Sequence, residues 1–266
     1  MIFDTHCHMQ FDDYTNIDEE LQKMKELWVK YATLIWSDFE STGKALELAK
    51  KYDNLFVVAW IMHPIEAPLV EDLQEEMSKV EKQIEENRSY IVWIWEVWLD
   101  YFHLDPYKAE MDKMTQKRVF KANIELAKKF SLPLIIHIRD AWEDAYEILK
   151  NSDFNRNMVI HCYTSDAATA EKFLSLSDKV YIWFSWIVTF KNWISVQEAV
   201  KIVPLERILV ETDAPYLAPT PYRWQQNTPA YTKYVLDMVK ELRNEDPDEL
   251  EKAIFENSLR FYGIED

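Results

Sequence analysis

Short apolar runs recur along the chain at 2–4, 31–35, 56–59, 91–95, 134–137, 158–161, 180–184 and 208–211. They are rich in Ile, Val, Leu and Phe and lack strict alternation, as expected of strands buried on both faces. Between them lie charged stretches whose apolar residues return every third or fourth position, at 18–27, 71–86, 115–129, 141–150, 167–174 and 196–202. That repeat predicts helices. Buried strands alternating with helices predict a parallel sheet, and eight strands are the number that closes a barrel. The expected fold is α/β, a (β/α)8 TIM-type barrel forming one domain over residues 1–266. A doubly wound open sheet is the alternative that the pattern leaves. No linker, low-complexity tract or shorter repeat interrupts the alternation.

Candidate chemistry falls where these runs end. His6 and His8 follow the first run. On an extended strand, side chains two apart share a face, so both imidazoles can close on one cation. On a helix they would point about 200° apart. Glu96, His137, His161 and Asp213 close later runs or follow them. Singly, each has a plain alternative: a solvated His pair, a hydrogen-bonded core histidine, a surface carboxylate. Jointly they fit a barrel, whose C-terminal strand ends meet at one mouth. Imidazoles with carboxylates suit Zn²⁺, Mn²⁺ or Mg²⁺. Cys7 and Cys162 adjoin these residues, face the opposite side of their strands and read as small buried side chains. His103 reads as a surface loop residue.

Composition narrows the classes. Hydrophobic residues make up 48% of the chain, enough for a large core and too many for a disordered one. No apolar run reaches roughly 18 residues, so no membrane span is expected. The chain starts without a basic leader, and two cysteines make no disulfide framework, which predicts a cytoplasmic protein. No obligate protein partner is indicated. The net charge of −17 argues against a broad basic surface for nucleic acid. It leaves room for a nuclease whose metals and few local cations grip one phosphate.

The segments Asp4-Thr5-His6-Cys7-His8, His63-Pro64, Glu96 with Leu99-Asp100, and His137-Ile138-Arg139-Asp140-Ala141 resemble the TatD family of metal-dependent deoxyribonucleases. So do His161-Cys162-Tyr163-Thr164 and Glu211-Thr212-Asp213-Ala214-Pro215-Tyr216-Leu217. The resemblance implies two divalent cations bridged by Glu96 and hydrolysis of DNA phosphodiesters, often 3′–5′. It implies that His6, His8 and Asp213 serve one cation and His137 and His161 the other. His63 and Arg139 would contact substrate phosphate or water, and Asp213 would take the proton of the attacking water. Asp4 and Glu211 suit the role of acceptors behind the metal-bound histidines. Arg139 has a salt bridge as its plain alternative. The enzymatic rival is a hydrolase of a small ester, amide or phosphodiester; the rival from another class is a non-catalytic metal- or partner-binding barrel.

Two features depart from that family. Average usage of about 7% would give roughly 19 glycines, yet the chain has Gly43 and Gly263 alone and 11 tryptophans. Trp28, Trp36, Trp60, Trp95, Trp98, Trp183, Trp186 and Trp224 stand where turns or family glycines are expected. Indoles forced into glycine sites commonly cost about 1–3 kcal/mol each. The plain alternatives are an aromatic-rich site or a deliberately substituted variant; the preferred reading is a UGA codon that means glycine in the source and was translated as tryptophan. The second departure is at Ile65, Gln225 and Gln226, which replace a histidine and basic residues frequent in the family, so the DNA preference rests on less than the metal site does.

Overall fold

The computed structural model describes residues 1–35, 39–59, 72–87 and 91–265; the side chains of 39–42, 58–59, 83 and 91–96 lie outside that description. Eight parallel strands follow one another in space as in sequence. They are β1 (Ile2–Cys7), β2 (Val29–Ile35), β3 (Leu55–Ala59), β4 (Ile91–Asp100), β5 (Leu134–Arg139), β6 (Met158–Ile160), β7 (Val180–Phe184) and β8 (Ile208–Val210). The seam joins β1 to the segment just past β8. The Asp213 N–H donates to the His6 carbonyl at 2.9 Å, Cys7 and Ala214 form a parallel bridge, and the Thr5 hydroxyl donates to the Val210 carbonyl at 2.8 Å. A single-domain TIM barrel results, and the open doubly wound sheet is excluded.

The helices are α1 (Ile17–Glu26), α2 (Phe39–Lys51), α3 (Leu73–Glu86), α4 (Ala109–Phe130), α5 (Trp142–Lys150), α6 (Ala167–Leu174), α7 (Ile194–Ile202), α8 (Thr232–Leu242) and α9 (Pro247–Tyr262). Their ends follow local chemistry. Asp166 caps α6 by accepting the Thr169 N–H at 2.8 Å. Asp246 caps α9, Pro247 opens it, and Gly263 closes it at φ 64°. α2, α8 and α9 are not among the helices that the apolar repeat set out, and α4 begins six residues before the predicted 115.

Two cores result. Helices cover the outside of the barrel over one large apolar cluster. Inside, Phe3, Ile135, Val159, Tyr181, Trp183 and Leu209 pack with Phe255, Phe261 and Tyr262 of α9, which plugs the end opposite the mouth. This interior parity positions the site. His137 and Arg139 lie two and four residues after Ile135, His161 two after Val159, and Glu211 two after Leu209. All four therefore sit on lumen-facing positions above that core.

Register explains one difference from expectation. β4 does not end at Glu96; it continues to Asp100, where it still pairs with Arg139. Gln116 of α4 holds this extension, its carboxamide closing on both the N–H and the carbonyl of Asp100 at 2.9 Å each. Between Ile94 and Glu96 the ladder with β5 slips by one residue, a bulge that leaves Trp95 over. Such bulges favour glycine. Trp28 holds φ 63° just past α1, with its indole 72% exposed. That left-handed conformation is the one expected for a glycine after a helix. Among the described tryptophans it alone has a left-handed φ. Trp183 and Trp186 bury indole nitrogens that meet no hydrogen-bond acceptor among the described residues. Trp36 and Trp60 fall outside the described residues.

Candidate metal centre

Four histidines line up across the barrel mouth. Ring centroids are 5.2 Å apart from His8 to His6, 4.4 Å from His6 to His161 in a parallel stack, and 5.1 Å from His161 to His137. His6 is fully buried and His8 and His161 nearly so. Asp213 completes one end, held at φ 56° by the seam hydrogen bond to His6.

Spacing distinguishes a ligand set from a crowd of polar groups. His6 Nε2 and His8 Nε2 each lie 3.5 Å from the same Asp213 Oδ1. That is long for a hydrogen bond. Bonds of about 2.1 Å at tetrahedral angles place ligand atoms about 3.4 Å apart. The donors His6, His8 and Asp213 therefore fit a divalent cation.

Tautomers point the same way. His8 Nδ1 lies 2.7 Å from the Ile35 carbonyl, which can only accept, so its Nε2 presents a lone pair to the site. Beneath the row sits Glu211. Its Oε2 is 3.7 Å from His6 Nδ1, its Oε1 is 3.4 Å from His161 Nδ1, and Oε1 accepts the Cys162 N–H at 2.7 Å. One carboxylate thus stands on the Nδ1 side of two imidazoles, which leaves both Nε2 atoms on the side away from it. Burial, opposed by His161, pushes the Glu211 carboxyl up to about 7. His6, His161 and Glu211 could themselves enclose an ion. The outer Nε2 positions fit better, because Glu211 is wholly buried and already committed to the Cys162 N–H.

His161 Nε2 meets His137 Nδ1 at 3.0 Å. At that distance the two nitrogens share either a proton or a cation. Trp98, the β4 partner of His137, stacks on its ring at 3.9 Å. Glu96 pairs with Ile135 one layer below, and its side chain lies outside the described set. His63 also falls outside the described residues. Arg139 is exposed at the rim, its guanidinium 3.8 Å from the centroid of Phe102. Among the described residues that contact replaces the expected salt-bridge alternative.

Asp4 takes a different position from the one expected. Its carboxylate accepts the Thr212 N–H at 2.9 Å and the Thr212 hydroxyl at 2.6 Å, not a histidine ring. It ties β1 to the Asp213 loop. Asn227 grips the other side of that loop, donating to the Thr212 and Tyr216 carbonyls at 2.9 Å and 2.6 Å. Sequence reading passed over Asn227; no local pattern marks it. Cys7 is buried with its thiol donating to the Thr33 carbonyl at 3.4 Å, and burial pushes that thiol up. His103 is half-exposed and bound through Nδ1 to Asp100 at 2.8 Å, as a rim loop residue.

A TIM barrel with imidazoles and carboxylates gathered at its C-terminal mouth places the chain in the class of metal-dependent hydrolases. Within it, the profile of the TatD related DNase family matches residues 3–263, and the chain belongs to that family. It is 34% identical to the uncharacterized metal-dependent hydrolase YabD of Bacillus subtilis, over 99% of this chain and 100% of YabD. It is 32% identical to the uncharacterized metal-dependent hydrolase YcfH of Escherichia coli K12, covering 99% and 96%. The crystal structure of YJJV, a TatD homolog from Escherichia coli, superposes with a TM-score of 0.88 at 25% identity, covering 99% and 98%. The resemblance drawn from the motifs is borne out over the whole barrel.

Proposed function

We propose that this TatD-family metal-dependent hydrolase cleaves phosphodiester bonds in DNA, working from single-stranded ends in the 3′–5′ direction. The observation that carries the reading is the placement of His6 Nε2, His8 Nε2 and Asp213 Oδ1 at ligand spacing, with His137 and His161 beside them. Two divalent cations are proposed, one held by His6, His8 and Asp213, the other by His137 and His161, with Glu96 shared between them. The ligand types suit Mg²⁺, Mn²⁺ or Zn²⁺. Bound divalent ions supply Lewis acidity toward phosphate and make a water acidic enough to attack near neutral pH.

The chain's own groups divide the remaining work. Asp213 is partly open to the mouth and takes the proton of the attacking water. Glu211 holds His6 and His161 in the tautomer that directs Nε2 outward. Arg139, two residues above His137 on the same face of β5, offers a planar fork to phosphate oxygens. His63 is assigned a second substrate contact from its motif. The proposed partner is DNA, the proposed location cytoplasmic, and no obligate protein partner is invoked. No helix among the described residues is long and apolar enough to cross a membrane.

The test compares labelled oligonucleotides, an aryl phosphodiester and an aryl ester, each with Mg²⁺ and Mn²⁺. Oligonucleotide cleavage that chelation abolishes supports the reading. Asp213→Asn should remove nearly all turnover, because an amide neither accepts the proton nor carries the charge. Ester hydrolysis with intact oligonucleotides would transfer the chain to the small-ester hydrolases. Full cleavage by Asp213→Asn would take that residue out of the mechanism.

A further inference from the structure

The rim of the mouth carries two exposed aromatic rings, one at each end of the histidine row. Phe102 is 59% exposed and Tyr216 52% exposed. Rings this open contribute little to the core. Both are nevertheless held in place. The Phe102 N–H donates to Asp100 Oδ1 at 2.8 Å, and His103 braces the other oxygen of that buried carboxylate at 2.8 Å. The Tyr216 carbonyl is gripped by buried Asn227, and its N–H donates to the Asp213 carbonyl at 3.0 Å.

Their neighbours define what they face. Tyr216 stands edge-on to His8, with centroids 5.7 Å apart. Phe102 carries the guanidinium of Arg139 on its face, and Arg139 sits one strand repeat above His137. The donor row His8, His6, His161, His137 therefore runs between two rigid aromatic stations, one of them topped by a cation. Fixed, solvent-facing rings beside a cation suit unpaired bases, whose π faces stack without sequence preference. A duplex keeps its bases stacked on each other and cannot use both.

We infer that Phe102 with Arg139, and Tyr216, are stacking stations for unpaired bases on either side of the scissile phosphate, and that they select single-stranded substrate. The assignment rests on the nuclease reading above, and the experiment separates the two. It uses the full chain, labelled oligonucleotides, and matched oligonucleotides with one abasic residue on either side of the cleaved bond. Stacking of one base is worth about 5- to 150-fold in affinity. Each abasic residue should lower kcat/KM within that range, and Phe102→Leu and Tyr216→Leu should each do so on the intact strand. On the strand abasic at its own station, each variant should match the parent. Tyr216→Phe, which keeps the ring, should retain parental activity.

Variants that lose equally on intact and abasic strands, or lose nothing, overturn the stations while leaving the nuclease standing. A parent that neither binds nor cleaves any oligonucleotide, yet hydrolyses the aryl ester, overturns the nuclease reading and the stations together. Because both rings are solvent-exposed, the variants keep the core intact, and unchanged thermal unfolding checks this.

Discussion

Replacing Glu211 by Gln tests the arrangement beneath the metal centre most directly. The substitution preserves volume and one acceptor oxygen. That oxygen remains with the Cys162 N–H at 2.7 Å and His161 Nδ1 at 3.4 Å. The new NH₂ then faces His6 Nδ1 across the former 3.7 Å gap, donor against donor. His6 loses its orienting acceptor and must turn or change tautomer. Losing one such partner commonly costs 10- to 100-fold in metal affinity, about 1.4–2.7 kcal/mol. At a cation concentration about 1,000 times the parental Kd, binding stabilises the parent by about 4.1 kcal/mol and the variant by roughly 1.4–2.7 kcal/mol. For a chain of this size, the rise in Tm on adding metal should shrink by roughly 3–10 °C. Calorimetric titration with Mn²⁺, paired with melting curves with and without the ion, reads both quantities. Affinity within about threefold of the parent refutes the orienting role. A loss beyond about 1,000-fold also refutes it, and makes Glu211 a ligand in its own right.

Three further outcomes follow from other parts of the molecule. Arg139→Ala should raise KM for oligonucleotides about tenfold and leave kcat within about threefold, since its phosphate partner is already charged in the ground state; steady-state kinetics separates the two. Gln116→Ala leaves the Asp100 N–H and carbonyl without their clasp and should destabilise the fold by roughly 2–4 kcal/mol, read by denaturant unfolding. In the gene, most of the eleven tryptophans should be UGA and both glycines ordinary GGN codons; UGG at Trp95, Trp98, Trp186 and Trp224 would refute recoding.

Much of this arrangement was legible in the chain because each strand is a compact apolar run and most site residues stand at a fixed offset from one. Ile135 to His137, Val159 to His161 and Leu209 to Glu211 are the same two-residue step, so strand parity alone carries three of them to the lumen. The step fails at β1, where the ladder with β2 slips between Asp4 and Cys7. That slip lets Phe3 line the lower barrel interior and His6 its mouth, although they differ in parity. Asp4 was misjudged for a related reason. Its place beside a histidine in sequence suggested a ring acceptor, while the seam brings Thr212 closer. The grip of Asn227 and the exposure of Phe102 and Tyr216 arise in loops, where no periodicity operates. Trp28 is the instructive middle case: its position after α1 predicted a left-handed turn, and the backbone adopts one despite the side chain.

The seam that completes the barrel also sets a timetable. His6 and His8 are made first on the ribosome, whereas Asp213 follows some two hundred residues later, and the Tyr262 hydroxyl that donates to the Thr5 carbonyl spans 257 positions. Contacts of such separation form late, because the intervening chain must be ordered before they return any stability. The early histidines therefore wait through nearly the whole of synthesis without their carboxylate. A cation captured before then would meet only a His-x-His pair and leave easily. On the proposed ligand set, metal loading would wait for the finished chain, and a chain halted before β8 would lack Asp213.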